Sequence, residues 1–167
     1  MIVDKLFETN PFSASKEDSD LFIAGVRETA SIHYRKNPFF RFLWEKFNLI
    51  PDAIQSEEDL KRLPYIMVNL FKQHELISGP KSEIVLELGS SGTSGQRSMI
   101  YLNQQSLDRV KILAYKIHEA LGITSKQNYN YICFTYDPAI AKDLGTAFTD
   151  ELLTNFTGKN EVFYTFK

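Results

Sequence analysis

The chain has 167 residues, 43% of them hydrophobic and 24% charged, with a formal net charge of −2 and a pI near 5.9. That length and balance suit a single globular unit with a packed core, and they exclude the basic footprint that nucleic acid or an anionic lipid surface would require. The one cysteine, Cys133, excludes an internal disulfide framework and a multi-thiolate metal site. No run approaches the roughly 20 apolar residues of a membrane span, and the N-terminal "MIVDKLFETNPF" lacks the basic region and apolar stretch of a signal peptide, so a cytoplasmic protein is expected.

Residues 1–80 read as helices broken by prolines. Ser15 can cap a first amphipathic stretch with Phe22, Val26, Thr29 and His33 on one face. Asn37-Pro38 ends it and opens a second helix, with Asn37 as cap and Pro38 at the first position, because proline lacks only an amide that would have no partner there. "PFFRFLWEKF" then supplies Phe39, Phe42, Leu43, Trp44 and Phe47 as expected core residues. A short third helix is expected from Ser56, whose hydroxyl can cap backbone amides while Glu57, Glu58 and Asp59 oppose the positive end of the dipole; Pro64 stops it.

From residue 83 the hydrophobic period changes. "EIVLEL" and "RSMIYL" have the length and residue types of strands and are joined by an unbroken Gly/Ser/Thr run from Gly89 to Gly95, which together predict a long-looped hairpin. After Ser106, the residues Leu107, Val110, Leu113, Ala114, Ile117 and Leu121 recur at helical spacing, with Gly122 placed to take a left-handed conformation at the helix end. "YNYICFTY" reads as a buried strand, "TAFTDELLTNF" as a helix ending near Gly158, and "EVFYTF" as a final strand. The expected fold is α/β: a helical segment, residues 1–80, packed on a sheet with flanking helices, residues 81–167.

The Gly/Ser/Thr run admits three readings: a phosphate cradle, a flexible turn, or a linker of the kind left by cloning. A cloning remnant belongs at a terminus, and a flexible insert between two apolar strands costs closure entropy with no packing in return, so a function is the better explanation. Gly89, Gly92 and Gly95 leave no Cβ in the way, which lets consecutive amides point into one concavity that binds anions. Ser90, Ser91, Thr93 and Ser94 add hydroxyl donors, and Arg97 or Lys81 can add charge. No Gly-Lys-Ser/Thr follows, and the following segment is a strand, so neither the Walker loop nor the dinucleotide fingerprint fits. His33, His74 and His118 share no metal-ligand spacing, so no metal site is expected. His74, in "LFKQHEL", is the histidine of most interest, with packing or capping as its ordinary role. Asp137-Pro138 can line a pocket or turn the chain. Cys133 is expected to be a small buried core residue.

"SSGTSG" between two strands resembles the phosphate loop of the adenylate-forming enzymes. With "NPFFRFLWEKF", "LKRLPYIMVNLFKQHELIS" and "LELGSSGTSGQRSMIYL" around it, the chain is most similar to the LuxE-type acyl-protein synthetases, well from about Asn10 through the loop and its following helix and loosely over the last forty residues. The resemblance implies a two-step ligase: ATP, with Mg²⁺, and a fatty or other carboxylic acid give an acyl-adenylate, and the acyl group then passes to a protein thiol or to CoA. It places Ser90, Ser91, Gly92, Thr93, Ser94 and Gly95 at the family's phosphate-loop positions, with Arg97 near the place where many members carry Pro-Lys. It assigns no catalytic residue here, because the adenine-binding segments, the ribose-binding Asp, the C-terminal Lys and the late acyl-accepting Cys of the family have no counterpart. The chain is therefore expected to be an N-terminal portion of a larger ligase and inactive by itself. The alternatives are a phenylacetate-CoA-ligase-like enzyme and a non-catalytic binding or assembly domain.

Overall fold

The computed structural model describes residues 1–90 and 95–166. The helical half begins with α1 (Ile2–Leu6), α2 (Lys16–Lys36) and α3 (Pro38–Lys46). Ser15 and Asn37 are the caps expected of them: Ser15 Oγ accepts from the Asp18 amide at 3.1 Å and Asn37 Oδ1 from the Phe40 amide at 3.0 Å, each satisfying a donor that has no partner inside the helix. α1 lies close against α2 because Gly25 has no Cβ; one placed there would meet Leu6 Cδ1 at 2.9 Å. Two short helices follow, α4 (Glu57–Leu60) and α5 (Leu70–Gln73). At the start of α4 the Asp59 carboxylate accepts from the Ser56 amide at 2.9 Å, and the Ser56 hydroxyl donates to the same carboxylate at 2.8 Å, so Asp59 holds this helix start.

The core of this half is Ile23, Ala30, Trp44, Leu49 and Ile54, with Val26, Tyr34, Phe40, Leu60 and Leu63 packed around it. The expected aromatic core is thus only partly realised. Trp44 and Phe40 stack at 5.2 Å, whereas Phe42 and Phe47 are exposed. On a helix of this length the two sides cannot both face α2, and the side that carries Phe42 points outward.

The α/β half contains β1 (Ile84–Gly89) and β2 (Met99–Asn103), which pair antiparallel as the expected hairpin, with Gly89 opposite Met99. α6 (Gln104–Ala120) follows at once, its cap being Asn103, whose Oδ1 accepts from the Ser106 amide at 2.9 Å. Gly122 has φ +70, the left-handed end predicted for it. β3 (Ser125–Tyr136), α7 (Gly145–Thr154) and β4 (Thr157–Phe166) form a right-sized crossover unit in which β3 and β4 are parallel. α7 ends at Thr154, and Gly158 lies within β4 opposite Asn128 instead of ending the helix.

Two sequence expectations change here. β3 is buried on one face only: Cys133 and Thr135 turn inward, while Ile132 and Phe134 are exposed. α6 has no buried residue, although Leu107 to Leu121 form the apolar stripe predicted for it. The two halves are joined where Arg109 Nε of α6 donates to Asp4 Oδ1 of α1 at 2.8 Å. Within the first 80 residues, His33 Nδ1 lies 2.6 Å from Ser78 Oγ, Asn37 Nδ2 donates to the Ile77 carbonyl at 3.3 Å, and Phe39 stacks on His74 at 5.4 Å, which ties the segment leading into β1 to α2 and α3.

Candidate phosphate-binding loop

β1 carries the chain to Gly89 and β2 takes it up again at Met99, so the segment between them leaves the sheet and returns to it across one strand spacing. Its neck is closed by two bonds: the Ser90 amide donates to the Ser98 carbonyl at 3.0 Å, and the Ser98 amide to Ser90 Oγ at 3.0 Å. The Ser90 hydroxyl expected to face a ligand is therefore an acceptor for the neck. Ser91, Gly92, Thr93 and Ser94 lie outside the described residues. Gly95 has φ +90, a conformation that L side chains rarely adopt, so glycine is required at this point of the loop. Beyond it, Gln96 Nε2 donates to the Lys72 carbonyl at 2.6 Å, which fastens the loop's exit to α5.

Arg97 turns back across the neck. Its Nε donates to the Ser90 carbonyl and its Nη1 to Asp143 Oδ2, both at 2.7 Å. The guanidinium lies directly on Gly89, where a Cβ would come within 2.6 Å of Nη2. Arg97 holds the Asp143 carboxyl below its usual range, first through that hydrogen bond and then through its charge. Lys81, the other candidate cation, is paired with Glu75, which raises its pKa.

Asp143 is the residue that sequence reasoning did not reach. Its carbonyl accepts from the Gly89 amide at 2.7 Å, and Leu144 bridges Gly89 as a short parallel pair. It lies 46 residues from Arg97 on an irregular stretch, and nothing in "AKDLG" announces the partner. The other residues considered take ordinary places. Asp137 begins a turn, its carbonyl accepting from Ile140 at 2.9 Å and Ala141 at 3.0 Å. His118 Nδ1 lies 2.7 Å from the Ala114 carbonyl. Cys133 is buried as expected, and that burial pushes its thiol pKa up, away from a reactive thiolate. Among the described residues no cluster of His, Cys, Asp and Glu is arranged to hold a metal ion, and no helix is long and apolar enough to cross a membrane.

The fold that carries this hairpin is found in solved adenylate-forming ligases. The chain superposes on 2-hydroxyisobutyryl-CoA ligase in its postadenylation state with 2-HIB-AMP at a TM-score of 0.67 and 16% identity, covering 89% of this chain and 32% of that one. An open conformation of that ligase with 2-HIB-AMP and CoA gives 0.66 at 16% identity over 86% and 32%. Its thioesterification state gives 0.66 at 19% identity over 88% and 32%. The chain thus spans about a third of the length of these ligases. The family of acyl-protein synthetases, LuxE, matches residues 1–150, and the chain belongs to that family. No curated protein matches it in sequence.

Proposed function

We propose that this chain is the phosphate-gripping N-terminal portion of a larger ATP-dependent ligase that activates a fatty acid or similar carboxylic acid and delivers it to a protein thiol. The single observation that carries this reading is the closed-neck loop between β1 and β2 in a chain of the LuxE family. In the first step a carboxylate oxygen attacks the α-phosphorus of ATP, the bond to the β-phosphate oxygen breaks, and pyrophosphate leaves with the charge. In the second a thiolate attacks the acyl carbon and AMP leaves. Ser91, Gly92, Thr93, Ser94 and Gly95 hold the β and γ phosphates through amides and hydroxyls, and Ser90 and Arg97 shape the neck beneath them. Such preorganised donors stabilise the leaving pyrophosphate more than they stabilise free ATP, and that difference lowers the barrier. Mg²⁺ would arrive on the nucleotide and neutralise phosphate charge; the described residues offer it no carboxylate cluster of their own.

The reading of a larger protein is supported by the outer face of β3 and β4, where Ile132, Phe134 and Phe163 are 67%, 81% and 56% exposed. Parallel strands are found covered on both faces, so this face calls for a further layer. A CoA acceptor is the second reading, favoured by the CoA bound in the similar ligase. The buried, protonated Cys133 does not serve as the acyl acceptor in either.

The test is acid-dependent ATP–pyrophosphate exchange. The 167-residue chain assayed alone should stay at background. In the full-length gene product, Thr93→Ala/Ser94→Ala removes two donors and leaves the backbone nest. At roughly 1.5 to 3 kcal/mol for each hydrogen bond to a charged group, kcat/KM should fall by a factor on the order of 10² to 10⁴. Unchanged exchange in the double variant would end the phosphate-loop reading, and a preference for free CoA over a protein thiol in the second step would select the alternative acceptor.

A further inference from the structure

We infer that Asp143 is a positioning residue for the phosphate loop, acting with Arg97 as a clamp on its neck; this rests on the phosphate-loop reading of residues 89–95. Four contacts converge on one point. The Asp143 carbonyl takes the Gly89 amide at 2.7 Å, its carboxylate takes Arg97 Nη1 at 2.7 Å, the Ser90 carbonyl takes Arg97 Nε at 2.7 Å, and Leu144 bridges Gly89. Main chain and side chain of the same residue are thus both engaged with the loop's root.

The geometry needs three particular side chains. Arg97 reaches two acceptors in different directions with the fixed fork of its guanidinium, which a lysine ammonium on a flexible stem does not reproduce. Gly89 must lack a Cβ for that fork to lie on it, since the nearest nitrogen would be 2.6 Å away. Asp143 supplies the charge that holds the guanidinium against the neck. Arg97 and Asp143 are 37% and 61% exposed, so as a surface ion pair they add little to folding stability. What they set is direction. Asp143 stands just before Gly145, the first residue of α7, and the clamp therefore joins the root of the loop to α7 and, through it, to the β3–β4 unit.

The same contacts reassign Arg97. Its charge is opposed by Asp143, and its hydrogen bonds go to the protein, so it acts on the phosphates through the shape of the loop. Preorganisation of this kind matters most where charge develops, on the leaving pyrophosphate, and its loss should fall on kcat more than on the KM for ATP.

The experiment is steady-state pyrophosphate exchange on the full-length gene product with Asp143→Asn, Asp143→Glu, Arg97→Lys, Arg97→Ala and the double variant Arg97→Ala/Asp143→Ala, together with the Tm of each. Asp143→Asn and Arg97→Lys should each lower kcat about tenfold and move the KM for ATP less than about threefold, as expected for one charge-assisted bond acting in the transition state. Asp143→Glu should recover part of the loss. The double variant should fall no further than Arg97→Ala, because the two residues act as one unit. A rise of about tenfold or more in the KM for ATP in Arg97→Ala, with Asp143→Asn within about twofold of wild type, would overturn the clamp and make Arg97 a direct phosphate ligand. A large fall in Tm in Asp143→Asn that Asp143→Glu does not restore would make Asp143 merely structural. Loss of the Asp143 effect and of the Thr93/Ser94 effect together would instead sink the phosphate-loop reading, as would a full-length wild type that shows no exchange.

Discussion

Trp44 and Phe134 are both large aromatic residues on regular elements, yet the first is 3% exposed and the second 81%. The difference runs through the two halves of the chain. In the helical half, α2, α3, α4 and the turns around Leu49 and Ile54 enclose a core from several directions. In the α/β half the inward face of β3–β4 is closed by α7, with Ala147 and Thr154 fully packed, while the outward face of β3–β4 and, on α6, Val110 and Leu113 are left exposed. Apolar surface is worth about 25 cal/mol for each Å² removed from water, so these faces are stabilising only when something covers them. The helical half has its core; the α/β half carries the loop between β1 and β2 and apolar faces that none of the described residues covers.

This contrast can be broken most severely at Trp44. Trp44→Ala should cost about 3 to 5 kcal/mol of unfolding free energy in denaturant melts of the chain, through lost burial and the cavity left behind. Trp44→Phe should cost clearly less, because the indole N–H has no protein acceptor among the described residues and its removal gives up no hydrogen bond. A loss near zero for Trp44→Ala would mean the helical core is not what holds the chain.

A smaller effect is expected where α6 leaves the hairpin. Asn103→Ala removes the acceptor for the Ser106 amide and should cost about 1 kcal/mol, whereas the helix's exposed Val110 should tolerate Ala within about 0.5 kcal/mol. Equal losses at both positions would show that the apolar stripe is packed in solution.

The contact between α2 and the segment leading into β1 should respond to acid. Burial pushes the pKa of His33 below its ordinary 6.5, so the imidazole is neutral in the folded state. As the pH falls through about 6.5 the unfolded chain takes up the proton first, and stability is lost from there down to the lower folded-state value; above that window the group contributes nothing. His33→Gln should therefore flatten the fall in Tm between about pH 7.5 and about pH 5.5 relative to wild type. A steeper fall in the variant would reverse the assignment.

The smallest effect on stability belongs to the open face. Phe134→Ser should leave the unfolding free energy of the 167-residue chain within about 0.5 kcal/mol and reduce the fluorescence of an apolar dye bound to it. A loss comparable to Trp44→Ala would show that β3 is covered in the chain as it stands.

Much of the architecture could be read before the structure. The caps Ser15 and Asn37, the proline at the start of α3, the left-handed Gly122 and the hairpin around the Gly/Ser/Thr run follow from local chemistry, because each depends on residues a few positions apart. The loop itself was legible for the same reason: its composition is unlike that of any packing element. Which apolar stripe is buried was not. Phe42, Val110 and Phe134 carry the pattern of core residues, and only the positions of distant elements leave them exposed. The same holds for Asp143. It meets Arg97 across 46 residues and Gly89 from farther still, and contacts of that range are decided by how β1, β3 and α7 come together, not by the spacing or chemistry of the residues beside it.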